Sequence, residues 1–118
     1  MNDFNSGELT IKIEERDNII IMNWIGKSRH REPSSELIPY FDEFVKEVEG
    51  KEVKIDFRNL DLMNSSTVPP IVKFVKLLEE SEIKTKVFYD HDMEWQKASF
   101  KALETVTIRF KYISIIGE

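Results

Sequence analysis

Two adjacent serines, Ser65 and Ser66, are the residues of this 118-residue chain best suited to chemistry. They belong to Asn64-Ser65-Ser66-Thr67, between an alternating apolar run at residues 53–57 that predicts a buried strand and an amphipathic segment that predicts a helix. Backbone N–H groups and the helix dipole favour negative charge at such a junction. The hydroxyls therefore suit either of two roles, capping the helix or carrying a phosphate. Residue types alone leave both roles open.

Other candidate sites are weaker. His30 and His91 are the only histidines, and neither has a partner at the spacing of a metal site or a catalytic triad. Asp90-His91-Asp92 predicts a polar turn, because three consecutive residues rarely converge on one ion. The four glycines are scattered, so there is no glycine-rich phosphate loop. We therefore predict no catalytic, cofactor or metal site and a protein that is not an enzyme.

Composition limits the class of partner. The net charge of −5 and pI of about 5.2 argue against nucleic acid, which requires a basic face. The one basic segment, residues 27–31, is either a solvated loop or a docking patch for an acidic protein surface or a phosphorylated group. No apolar run approaches the roughly 20 residues of a membrane span, and no secretory signal or cysteine is present. We expect a cytoplasmic protein with no membrane partner.

Hydrophobic periodicity predicts the element order ββαβαβαβ. The first two strands form a hairpin that turns at Asp17-Asn18, residues 1–8 are expected to be loosely ordered, and crossover helices imply parallel neighbours for the later strands. The fold class is α/β: a single domain over residues 1–118, with a small mixed, mostly parallel sheet and helices packed against it. The third helix is expected to run through Trp95, Ala98, Ser99, Ala102 and Leu103. The last strand is expected to contain Ile108, Phe110 and Tyr112 and to end near Ile116.

The element order and the segment Leu60-Asp61-Leu62-Met63-Asn64-Ser65-Ser66-Thr67 resemble STAS domains, the fold of anti-sigma factor antagonists. Residues 26–45 and Val87-Phe88-Tyr89-Asp90 are also similar to the SiaC-like regulatory phosphoproteins. The resemblance implies a non-enzymatic bacterial signalling regulator in a partner-switching pathway that controls transcription. Its partner would be an anti-sigma factor or a Ser/Thr kinase of histidine-kinase-like fold. Phosphorylation would release that partner, and a PP2C-type phosphatase would restore binding.

The resemblance also assigns the site. The usual Asp-Ser-Ser-Gly turn is phosphorylated on its second serine, which is Ser66 here, whereas the SiaC-like pattern places the phosphate on Ser65. We carry both, with Ser66 first. Asn64, Ser65, Ser66, Thr67, Lys73 and Lys76 are the expected partner-binding residues.

Three departures from the family pattern affect this assignment. Asn64 replaces the usual Asp, Thr67 replaces Gly, and Pro69-Pro70 removes amides that could bind a phosphate. Pro69 is also expected to bias Val68 away from helical angles, lengthening the turn and shifting the cap.

Two alternatives remain open at this point. One is a STAS scaffold that binds its protein partner constitutively, without phosphorylation. The other is a small-molecule-binding module that uses Trp24, Trp95 and the basic segment. The oligomeric state is not predicted.

Overall fold

A computed structural model describes residues 1–118 of the chain. In chain order the elements are β1 (Phe4–Ser6), β2 (Leu9–Arg16), β3 (Ile19–Ser28), α1 (Ser34–Glu47), β4 (Glu52–Asp56), β5 (Leu60–Met63), a 3₁₀ turn (Ser65–Thr67), α2 (Val68–Glu80), β6 (Thr85–Tyr89), α3 (Glu94–Val106) and β7 (Ile113–Gly117). All seven strands form one sheet in the order β1-β2-β3-β4-β6-β7, with β5 also paired to β3. No helix combines the length and apolar character that a membrane crossing requires.

The predicted hairpin is present as β2 and β3, which pair antiparallel with Arg16 opposite Ile19. The two residues between them, Asp17 and Asn18, have φ angles of 51° and 66°. Positive φ at both central residues defines the two-residue turn that matches the twist of a β-hairpin, and Asp and Asn tolerate this conformation. The local sequence therefore sets the antiparallel half of the sheet.

The strands after β3 are parallel to their neighbours, as the crossover helices predict. β3 pairs with β4, β4 with β6, and β6 with β7, all in parallel. β3 is long enough to hold two neighbours on the same side: β4 along residues 19–23 and β5 along residues 26–28. This double pairing brings the end of β3 beside the segment that leads into α2.

The structure confirms the α/β class and adds two strands that the predicted order lacks. Residues 1–8, expected to be loosely ordered, include β1, which pairs with β2. β5 is the other addition. The last strand begins only at Ile113, whereas Ile108 lies in the preceding turn with 78% of its surface exposed.

All three helices cover the same face of the sheet. Trp24 on that face contacts Phe41 of α1, Phe41 stacks on Phe74 of α2 at 4.1 Å between ring centroids, and Tyr89 stacks on Phe100 of α3. The core face carries fully buried residues such as Ile11, Ile20, Met22, Trp24, Val53, Ile55 and Val87. On the opposite face the side chains, including Thr10, Lys12, Ile21, Ile25, Lys54, Lys86 and Phe88, are half-buried or exposed.

α3 contains all the residues predicted for the third helix. It buries Gln96, Phe100 and Leu103, while Ala98 and Ala102 are exposed. α1 buries Leu37, Phe41, Phe44 and Val45, and α2 buries Ile71, Phe74, Val75 and Leu78.

Candidate functional site

The serine pair lies on a separate turn between β5 and α2. Ser65 to Thr67 form a single 3₁₀ turn, and α2 begins at Val68 with Pro69 and Pro70 in its first turn. Proline is tolerated there because the first N–H groups of a helix have no intrahelical partner. The predicted effect of Pro69 on Val68 is wrong, because Val68 is helical at φ −64° and ψ −50°.

A directed series of three hydrogen bonds fixes this turn to the body of the protein. Thr67 Oγ1 donates to Asn64 Oδ1 at 2.6 Å, and Asn64 Nδ2 donates to the carbonyl of His30 at 2.9 Å. Thr67 Oγ1 is also 2.7 Å from Ser28 Oγ in a buried contact. A hydroxyl carries one hydrogen, so Ser28 must donate to Thr67. We call these contacts the anchor.

The anchor replaces the helix cap that the residue types favour. Asn64 stands at the N-cap of the 3₁₀ turn and Thr67 at that of α2, but neither side chain makes a capping hydrogen bond. Their polar groups are instead turned towards Ser28 and His30. The capping interpretation is therefore wrong for Asn64 and Thr67.

The tetrapeptide presents its hydroxyls at graded depths. Ser65 is exposed, Ser66 is half-buried and Thr67 is fully buried at 0% exposure. The anchor thus attaches the turn to the body of the protein, while Ser65 remains accessible to solvent. Thr67, one of the four residues of this turn predicted to bind a partner, is buried and cannot contact one directly.

Lys73 and Lys76 of α2 are both exposed, as predicted. Lys73 borders a small crevice between α1 and α2, together with Asp42 and Leu77. It therefore lies on the α1 side of the helix.

An apolar groove adjoins the serine turn on the other side of α2. It runs between α2 and α3 with a cavity volume of about 100 Å³, and its lining is Met63, Val68, Ile71, Val72, Ser99, Phe100, Ala102, Leu103 and Val106. Val68 and Val106 are 40% and 48% exposed, and Leu62 beside Met63 is 40% exposed. Large apolar side chains exposed together mark interaction surfaces more often than isolated ones do. This groove was not predicted from the sequence.

Comparison with solved structures identifies the architecture. A chain from the crystal structure of the diguanylate cyclase SiaD in complex with its activator SiaC, from Pseudomonas aeruginosa, matches with a TM-score of 0.67 at 13% identity, and the match covers 100% of both chains. An uncharacterized DUF3478-family protein with a SpoIIAA-like fold, from Shewanella loihica PV-4, matches with a TM-score of 0.56 at 19% identity, over 96% of this chain and 88% of that one. The chain therefore has a STAS-like fold. No protein-family model and no curated protein matches the sequence significantly.

The basic segment of this STAS-like domain lies directly beside the serine turn. Arg29 donates to the carboxylate of Glu8, and this hydrogen bond lowers the pKa of Glu8. His30 Nδ1 accepts the N–H of Glu32 at 3.0 Å, and its Nε2 is 3.8 Å from Glu36. Arg31 is exposed and makes no ion pair.

Gln96 is a structural residue that sequence reasoning missed. It is fully buried, donates through Nε2 to the carbonyls of Phe57 and Leu60 at 2.7 and 2.9 Å, and accepts the N–H of Asp90 at 2.8 Å. It thereby ties α3 to the start of β5. The only signal in the sequence is a glutamine in an otherwise amphipathic helix, which is too common to be informative.

Two other predicted site features have different outcomes. Trp24, a candidate ligand-stacking residue, is 0% exposed and packs against Phe41 and Phe57, so the small-molecule alternative loses one of its two tryptophans. Asp90-His91-Asp92 forms a polar turn in which Asp90 Oδ1 accepts the N–H of Asp92 at 2.9 Å, as predicted. No group of three metal-ligating side chains converges anywhere in the STAS-like domain.

Proposed function

We propose that this STAS-like domain is a signalling regulator that binds a protein partner through the serine turn and is switched there by phosphorylation. The observation that carries the proposal is Ser65, an exposed hydroxyl on a turn that the anchor holds at the rim of an apolar groove. A rigid turn presents its hydroxyl in one position. An adjoining groove offers apolar surface that a protein partner would bury.

Charge provides the switching mechanism. A kinase would transfer the terminal phosphoryl group of ATP to the serine: the bond between the γ-phosphorus and the bridging oxygen breaks, an O–P bond to the serine Oγ forms, and ADP and the hydroxyl proton are released. The product carries about −1.5 to −2 charges at neutral pH. A partner docked on Val68 and the groove would have to desolvate this charge, so binding would weaken. A phosphatase would release inorganic phosphate with water and restore the hydroxyl.

The greater exposure of Ser65 favours it over Ser66 as the first acceptor, whereas the family pattern favours Ser66. The half-buried Ser66 needs a local opening of the turn to enter a kinase site, and the anchor resists that opening. We therefore retain both acceptors, with Ser65 first.

We expect the partner to be an anti-sigma factor or a Ser/Thr kinase of histidine-kinase-like fold, with a PP2C-type phosphatase reversing the modification. A second candidate partner is a signalling enzyme. It is supported by the similar chain that comes from a complex of a diguanylate cyclase with its activator. Both candidates use the same surface of this protein.

The modification is tested by incubating the protein with ATP and a kinase encoded beside its gene, then mapping phosphate by mass spectrometry. We expect modification of Ser65 or Ser66, and none of the buried Thr67. If no residue of the turn takes phosphate, the switch proposal is wrong.

Partner affinity separates the switch from a constitutive scaffold. Ser65→Glu should weaken binding of the kinase at least about tenfold, because a charge then faces the interface. Ser114→Glu on β7 is the matched control, since Ser114 is exposed but belongs to the open face of the sheet. Val106→Asp in the groove should weaken binding in either case. If Val106→Asp weakens binding while Ser65→Glu does not, the protein is a scaffold.

A further inference from the structure

Arg31 and Ser65 are brought together by one hydrogen bond of the anchor. Asn64 Nδ2 donates to the carbonyl of His30 at 2.9 Å. Ser65 and Arg31 each follow one of the two residues that this bond joins, one Cα–Cα step of about 3.8 Å away. Both residues are exposed, so both side chains are accessible to solvent close to this hydrogen bond.

A phosphate on Ser65 would find few backbone amides to bind. The N–H of Thr67 donates to the carbonyl of Asn64 at 3.1 Å, and the N–H of Val68 donates to that of Ser65. Pro69 and Pro70 have no N–H at all. Most of the backbone amides that could hold a phosphate at the start of this helix are therefore already bonded or absent. A cationic side chain is the remaining way to neutralise the charge.

The other nearby cations are less suitable than Arg31. Arg29 is engaged by Glu8, and His30 uses Nδ1 within its own loop. Lys76 is eight residues beyond Val68, about 12 Å along the axis of α2 at 1.5 Å per residue. Lys73 borders the crevice on the α1 side.

We propose that Arg31 is the intramolecular receptor for a phosphate on Ser65, an inference that rests on the proposed phosphorylation. The guanidinium would donate two parallel hydrogen bonds to the phosphate oxygens. Glu32 follows Arg31 and is also exposed, so it opposes this attraction in part.

The test uses the full chain with phosphoserine encoded genetically at position 65 and follows the ³¹P resonance through a pH titration. An opposite charge nearby lowers the pKa of an acid, to a smaller extent at exposed sites. Arg31→Gln should therefore raise the phosphate pKa by about half a pH unit or more, and Arg31→Lys should restore part of the difference. Arg109→Gln is the matched control, because Arg109 is another exposed arginine that makes no ion pair.

An unchanged phosphate pKa in Arg31→Gln would overturn the inference. A second sample with phosphoserine at position 66 tests the pairing: an Arg31-dependent shift there, but not at position 65, would also overturn it. Raising the salt concentration should reduce the shift, since it screens exposed charges. No partner is present in these titrations, so their outcome is independent of whether phosphorylation alters partner binding.

Discussion

Ser28 and Thr67 lie 39 residues apart in the sequence but share a buried hydrogen bond of 2.7 Å. Ser28 is the last residue of β3, and Thr67 is the last residue of the turn before α2. The side chains are 2% and 0% exposed. Because an unpaired buried hydroxyl is unfavourable, this pair holds the turn in one position against the sheet. The exposed Ser65 is thus carried on a turn that is hydrogen-bonded to the end of β3.

Thr67→Val tests the anchor directly. Valine keeps the shape of threonine but leaves Ser28 without its acceptor and Asn64 Oδ1 without its donor. We expect the free energy of unfolding to fall by about 2 kcal/mol, measured by urea denaturation. Thr105→Val is the control, since the exposed hydroxyl of Thr105 bonds only the carbonyl of Lys101 within α3. Equal losses in both variants would contradict the anchor.

Gly26→Ala tests the bend that brings β3 to β5. Gly26 has φ +95°, and a Cβ there would clash with the carbonyl oxygen of Glu8. Gly26→Ala should lower the free energy of unfolding by about 1–2 kcal/mol because of the left-handed backbone, and by roughly 1–3 kcal/mol more because of the steric clash. Gly50→Ala should show only the cost of the left-handed backbone, because Gly50 has φ +79° and a Cβ added there would have no atom within 4 Å. Denaturant midpoints that fall equally for the two variants would show that the clash is relieved without consequence.

The parts of the fold that follow from the sequence are those with a local cause. Asp17-Asn18 predicts the hairpin because the turn type depends on these two residues. β5 escapes prediction because it is four residues long and pairs only with the overhanging end of β3. Ile108, Phe110 and Tyr112 alternate like a strand, yet the turn after α3 occupies these positions, and pairing with β6 begins at Ile113. Alternation indicates a strand only where a neighbour is available.

The candidate site likewise has one part that the local sequence predicts and another that depends on tertiary contacts. The position of the serines at the start of α2 follows from local pattern. The anchor does not, because its bonds join Ser28 and His30 to a turn more than 30 residues later. Capping preference describes what Asn and Thr do in the absence of tertiary partners, and here such partners are present. The groove and Gln96 likewise depend on how two helices and a loop meet.

Gln96→Leu removes the buried amide that joins α3 to the carbonyls of Phe57 and Leu60. The carbonyl of Leu60 and the N–H of Asp90 would lose the side-chain partner that each now has, and Phe57 would lose one of its donors. We expect a loss of about 3 kcal/mol in the free energy of unfolding. Lys101→Leu, at an exposed position of α3, controls for leucine on this helix. A Gln96→Leu protein as stable as the control would mean that the three backbone groups find other partners.

Asp56→Asn should alter the pH dependence of stability. Burial raises the pKa of Asp56, but hydrogen bonds from the Arg58 side chain and backbone outweigh it, so the pKa lies below the usual 3.8. A lowered folded-state pKa stabilises the protein above the unfolded-state value, and the contribution is lost as pH falls through the folded-state value. The free energy of unfolding of the wild type should exceed that of Asp56→Asn by about 1 kcal/mol at neutral pH.

The difference should shrink below about pH 4, because the carboxyl is then protonated in both states. Urea unfolding at several pH values measures it. Asp92→Asn, at an exposed position where the carboxylate accepts no hydrogen bond from another side chain, should show a smaller difference with no such trend. A pH-independent gap between wild type and Asp56→Asn would contradict the assignment.

Asn64→Asp restores the residue usual in the family and should nevertheless destabilise this protein. Asn64 acts in both directions, accepting from Thr67 and donating to the carbonyl of His30, and a carboxylate cannot donate. The lost donor and the repulsion between two oxygens should lower the free energy of unfolding by about 1–3 kcal/mol at neutral pH. Asn5→Asp is the matched control, because Asn5 only accepts, from Thr10 Oγ1 at 3.0 Å. If Asn64→Asp is as stable as Asn5→Asp, the bond to His30 does not explain why asparagine stands at position 64.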